Sequence, residues 1–103
     1  MSRIALVWVL SACLVATGVA GCGAVPSVNP NDPRLQVTPS LREACADFAG
    51  DALIDTLLIA YETDRLRGFT WTESRLDAAV QCNAAEECIR CANAVIDQVY
   101  GVN

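Results

Sequence analysis

Apolar residues in this chain follow three regimes. They are nearly continuous from Ile4 to Ala20, scattered among prolines from Gly23 to Thr38, and recur every three or four positions from Pro39 to Tyr100. The last regime predicts helices, and no run alternates as a half-buried strand would. A first helix is expected to start near Ser40, where Ser40-Leu41-Arg42-Glu43 forms a capping-box pattern; Thr38-Pro39 offers an alternative start. It is expected to run to about Arg67 and stop at Gly68. A second helix opens at Thr70, with Glu73 completing a capping box, or at Thr72, which would let Trp71 staple onto Leu76. It reaches about Gln81. Asn83-Ala84-Ala85-Glu86 caps a third helix that continues to Tyr100, although the break at Cys82-Asn83 could instead be a bend in one helix. The expected fold is all-α, a small helical hairpin or three-helix bundle with two disulfides, spanning residues 39–101.

The third helix has an ordinary core stripe of Ala85, Cys88, Ala92, Val95, Ile96 and Val99. The first has apolar residues on two nearly opposite faces: Leu41, Cys45, Phe48, Ala52 and Ile59 on one, Ile54, Leu57, Leu58 and Tyr61 on the other. Two readings follow. The first helix is central and both faces are covered, or one face is left as an interface patch. The candidate interface is Ile54, Leu57, Leu58 and Tyr61. Asp47, Asp51 and Asp55 recur at every fourth position, where like charges repel by about 0.2–0.5 kcal/mol per pair. They read first as a solvated face and second as a weak divalent-cation surface, without the spacing of an EF-hand.

The apolar start has the layout of an export signal: Met1-Ser2-Arg3, an apolar middle, then small residues. Its end, Val19-Ala20-Gly21-Cys22, resembles the lipobox of bacterial lipoproteins, with Val where Leu is more usual. The resemblance implies a signal peptide over residues 1–21 and Cys22 as the first mature residue. That residue would carry a thioether-linked diacylglycerol and an amide-linked third chain of the palmitate kind. Two acyl chains suffice for stable membrane anchoring. Gly23 rather than Asp follows the cysteine, which in the family implies the outer membrane of a diderm host. Two other readings share these residues: cleavage after Ala24 to release a soluble secreted form, and an uncleaved transmembrane anchor.

Pro26, Pro30 and Pro33 exclude helix and central strand from the segment that follows. Residues 22–38 therefore read as a lipidated cysteine and a passive tether. In polyproline form the stretch would reach about 50 Å.

The formal charge of −5 becomes −6 once Arg3 leaves with the leader. There is no Lys, and the six remaining Arg are scattered, so nucleic-acid binding lacks its basic stripe. Absence of His removes the commonest general base and nitrogen metal ligand. No catalytic constellation stands out, and the chain reads as a non-enzyme without a cofactor.

Cys45, Cys82, Cys88 and Cys91 belong to the folded part, and in an exported small domain four cysteines read as two disulfides. Folding the chain back about Gly68-Phe69-Thr70 brings Cys45 level with Cys91. Cys45–Cys91 with Cys82–Cys88 is therefore favoured over Cys45–Cys88 with Cys82–Cys91. The longer link would contribute roughly 4 kcal/mol on chain-entropy grounds. That matters in a domain of roughly 60 residues, which buries only about 60% of its surface. Cys88-Ile89-Arg90-Cys91 could alternatively serve a thiol-redox or metal-binding module. The leading expectation is a small membrane-anchored envelope lipoprotein whose helical domain has a structural role or binds another envelope protein or itself.

Overall fold

The computed structural model describes residues 27–102. The leader, Cys13, Cys22 and the first tether residues lie outside that range. Within it the chain forms a 3₁₀ turn at Pro33–Leu35 and four helices: α1 (Pro39–Ala44), α2 (Asp51–Leu66), α3 (Trp71–Cys82) and α4 (Glu86–Tyr100). There is no strand among the described residues. The architecture is thus small and all-α, with α4 at its centre. It packs most extensively on α3 and α2 and also meets α1 and the 3₁₀ turn. Cys91, Val95, Ile96 and Val99 on α4 are fully enclosed.

The expected first helix is in fact two. Thr38 caps α1 through Oγ1, which accepts from the Leu41 amide, and Pro39 occupies the first turn. The helix ends at Cys45, whose carbonyl accepts from the Phe48 and Ala49 amides, both at 2.8 Å. Gly50 then caps α2, with Asp51 in the first turn, where a carboxylate meets the positive end of the helix dipole. Gly50 was the available signal, since a glycine costs about 1 kcal/mol inside a helix. The break removes the two-face conflict by re-aiming the faces separately. Leu41 and Cys45 enter the core from α1, while Ile54, Leu58 and Tyr61 enter from α2. It also takes Asp47 out of helical register with Asp51 and Asp55, so the regular acidic stripe does not form. Asp51 instead pairs with Arg42 at 3.0 Å across the break, an exposed contact that solvent screens.

The other boundaries follow local chemistry. At the end of α2, Gly68 adopts φ +100°, and the Phe69 and Gly68 amides bond back to the Asp64 and Arg65 carbonyls, both at 3.0 Å. That is the Schellman pattern. Thr70 and Glu73 make the reciprocal capping box of α3, so the alternative cap at Thr72 and its Trp71–Leu76 staple do not form. Asn83 does not open α4 but closes α3 in the left-handed region, at φ 50°. Ala84 follows at φ 68°, a conformation costing an alanine roughly 1–2 kcal/mol.

The folded region begins earlier than residue 39. Leu35 is 1% exposed and joins the core. Arg34 donates from Nη1 to the Val99 carbonyl at 2.6 Å and to Glu62 at 3.3 Å, and from Nη2 to Asp32 at 2.7 Å. Gln98 Nε2 donates to the Arg34 and Gln36 carbonyls at 2.8 and 2.9 Å. Val28 and Val37 also pack against the core. The later part of the expected tether is therefore a strap across α2 and α4. Leu35→Ala is expected to destabilise the domain by about 2–5 kcal/mol, as deletion of a buried leucine does. Urea unfolding of the chain measures this; a residue in a passive spacer would give no change.

Candidate functional site

The two disulfides are Cys45–Cys91 and Cys82–Cys88, and no cysteine among the described residues is free. The two cysteines of the C-x-x-C are thus bonded to different partners. Cys45 and Cys91 are buried, tying the end of α1 to the middle of α4. Cys82–Cys88 bridges the α3–α4 turn, and Cys88 is half-buried.

The candidate interface residues are placed otherwise than expected. Ile54 and Leu58 are completely buried and Tyr61 nearly so, because the break before α2 turns their face toward α4. Ile54 and Leu58 form core and cannot present a surface, and Tyr61 keeps only an edge exposed. Leu57 alone of the four remains half-exposed.

Leu57 lines a groove of about 390 Å³ between α2 and the α3–α4 pair. Phe48, Tyr61 and the Cys82–Cys88 disulfide supply apolar wall, while Asp64 from α2 and Asp77 from α3 supply carboxylates. Burial, reinforced by the charge of Asp77, pushes the Asp64 carboxyl above the usual carboxylate range, and Arg67 only partly opposes this. Burial likewise raises the Tyr61 phenol, helped by Asp77 and Asp64. The contrast is with Glu62, only 4% exposed. Its oxygens accept from Arg65 Nε at 2.8 Å and Nη2 at 3.0 Å and also from Arg34. Arg65 first, and Arg34 with it, hold that carboxyl below its ordinary range despite burial. Glu62 is a satisfied internal anchor, whereas Asp64 faces a groove.

A second surface flanks α3 on its other side. Ser74, Ala78 and Cys82 form the buried stripe of α3, small residues four apart that let the helix lie close on α4. Polar contacts fix one end. Tyr100 donates its phenol hydrogen to the Phe69 carbonyl at 2.8 Å and stands 2.9 Å from Ser74 Oγ; Trp71 Nε1 donates to Asp97 at 2.8 Å. The larger apolar residues of α3 are left outside, with Leu76 63% and Val80 77% exposed. Beside them runs a groove of about 280 Å³ bounded by Trp71, Arg75, Ala79, Ile89 and Asn93. Arg75 lies over the Trp71 ring at 4.7 Å from its centroid. Asn93 Oδ1 is buried without a hydrogen-bond partner among the described residues.

No family model, curated protein or solved structure matches this chain. The α3 surface escaped sequence reading because nothing in a single helix distinguishes Leu76 from a core leucine. Only the Ser74-Ala78-Cys82 spacing of small residues hinted at which face would pack.

Asp64→Asn is expected to raise the melting temperature near neutral pH. With the folded pKa above its ordinary 3.8, the stability contribution of Asp64 is fully present below that value. It is lost as pH rises through the folded pKa. The advantage of the asparagine variant should therefore shrink as the pH is lowered to about 3, which thermal melts across that range would check.

Proposed function

We propose that this chain is a small lipid-anchored protein of the bacterial envelope, non-enzymatic, whose helical domain docks another envelope protein through the exposed face of α3. The observation that carries the docking half is the pair Leu76 and Val80, one turn apart on α3 and largely exposed. The adjoining groove is lined by Trp71, Leu76, Ala79 and Ile89, with Thr72, Arg75 and Asn93 as its polar residues. Large apolar side chains on one face, beside a groove with a few polar residues, suit a partner surface of mixed apolar and hydrogen-bonding character.

The anchoring half rests on the resemblance of Val19-Ala20-Gly21-Cys22 to a lipobox, and two disulfides in a small domain accord with an oxidising compartment. None of the described helices is long and apolar enough to cross a membrane. In this reading Cys22 carries the lipid, and the outer membrane is the destination in a diderm host. The strap at Pro33–Leu35 shortens the free tether, so the docking face is held nearer the membrane than residues 22–38 would permit if fully extended.

Two experiments test the two halves. Cys22→Ser should abolish acylation, moving the chain from the detergent to the aqueous phase on Triton X-114 partitioning; unchanged partitioning and mass would refute the anchor. For docking, a photo-cross-linker at residue 80 in living cells should give one defined adduct. Leu76→Glu should remove it and weaken binding of the purified, identified partner at least tenfold, a loss of about 1.4 kcal/mol. An adduct of twice the chain mass would make a second copy the occupant. Absence of any adduct would refute docking by this face.

A further inference from the structure

The groove on the opposite side of α3 is independent of the docking face and of the lipid anchor. We propose that it is a binding site for a small amphipathic cation, an organic ammonium whose apolar body lies against Phe48, Leu57, Tyr61 and the Cys82–Cys88 disulfide and whose charge sits by Asp64 and Asp77. Three observations converge on that ligand class.

The first is shape and lining. A groove of about 390 Å³ falls at the small-molecule end of the range for ligand sites, roughly 300–1,000 Å³. It takes a compact ligand rather than a helix. Its walls are mainly apolar, and the polar groups are few, as in sites where an apolar surface supplies affinity and a few groups set orientation.

The second is charge. Asp32, Asp51, Glu62 and Asp97 each have an arginine nitrogen within 4.0 Å. Asp64 and Asp77 line the groove together, and neither is in any ion pair formed among the described residues. Two carboxylates that repel each other beside a low-dielectric wall create a local potential that only a cation relieves. A neutral or anionic ligand of the same shape would leave that repulsion in place or add to it.

The third is the titration behaviour of Asp64. Asp64 is held in its protonated form to higher pH by burial and by Asp77, against Arg67. The groups that bear on it are Asp77 on α3, Tyr61 on α2 and Arg67 just past its end; α4 contributes only Cys88 and Ala92 to the groove, and Cys88 is in a disulfide. A bound ammonium reverses the balance by stabilising both ionised carboxylates, so binding releases protons and strengthens as pH rises.

The test uses the full chain and three probes that share a phenylbutyl body: 4-phenylbutylammonium, 4-phenylbutanol and 5-phenylpentanoate. Titration is followed by calorimetry and by nuclear magnetic resonance shifts of the residue 57 and 61 amides. The ammonium should bind saturably at neutral pH, at least tenfold tighter than the alcohol, with the carboxylate weakest. Asp64→Asn and Asp77→Asn should each erase most of the advantage over the alcohol while leaving the helical circular dichroism intact, since each relieves repulsion. The advantage should also fade as pH is lowered into the range where Asp64 protonates. Equal binding of ammonium and alcohol, tightest binding of the carboxylate, or no saturable binding at millimolar ammonium would each overturn the proposal. So would an arginine-bearing peptide that occupies the groove where the ammonium does not.

Discussion

The Cys45–Cys91 disulfide joins the break between α1 and α2 to the middle of the central helix, and the arrangement of the domain turns on it. Both sulfurs are buried, so the link acts inside the core. Fixing residue 45 against α4 ends α1 there and lets the chain turn before Gly50 starts α2 in a new direction. That change of direction is what sends Ile54 and Leu58 inward along with Leu41 and Cys45. With a separation of 46 residues, the link also removes roughly 4 kcal/mol of unfolded-state entropy. For a domain with so small a core, this is a large fraction of the usual 5–15 kcal/mol of net stability. The buried Glu62 plays the complementary polar part. Arg34 and Arg65 satisfy it, and through Arg34 the strap before α1 is held to α2 and α4.

The surfaces follow from how α3 is seated. A stripe of small residues, Ser74, Ala78 and Cys82, brings α3 close to α4, and polar contacts to Tyr100 and Asp97 fix one end while Cys82–Cys88 fixes the other. A helix seated on its small residues has its large ones to spare. Leu76 and Val80 face solvent on one flank, and Asp77 overlooks the α2 groove on the other. One helix thereby borders both candidate sites, which differ in chemistry: an exposed apolar face, and an apolar groove edged by two carboxylates. Cys82–Cys88 does double service, since it spans the strained turn at Asn83-Ala84 and forms part of the groove wall.

Much of the local structure was legible in the residues. The all-α class, the end of α2 at Gly68, the capping box at Thr70-Glu73, the core stripe of α4 from Cys88 to Val99, and the disulfide pairing all followed from spacing and from near-neighbour chemistry. These are short-range effects: a cap needs a hydroxyl and an acid three residues apart, and a Schellman turn needs a glycine free of a Cβ. The pairing succeeded because antiparallel packing about one turn restricts which cysteines can meet, even though the helix it assumed was really two.

What the sequence by itself determined is the helical periodicity and the helix ends set by side chains within a turn of them. What only the tertiary structure decided is which apolar residues are core and which are surface. Ile54, Leu58 and Tyr61 went inside, Leu76 and Val80 stayed outside, and Leu35 left the tether to become core. Periodicity assigns a residue to a helix face, but a face is buried only when another element covers it. Which element covers it depends on long-range constraints, here the disulfide to α4, the buried Glu62 ion pairs and the close seating of α3. Those interactions join residues tens of positions apart, and their geometry is not written in the spacing of any one segment.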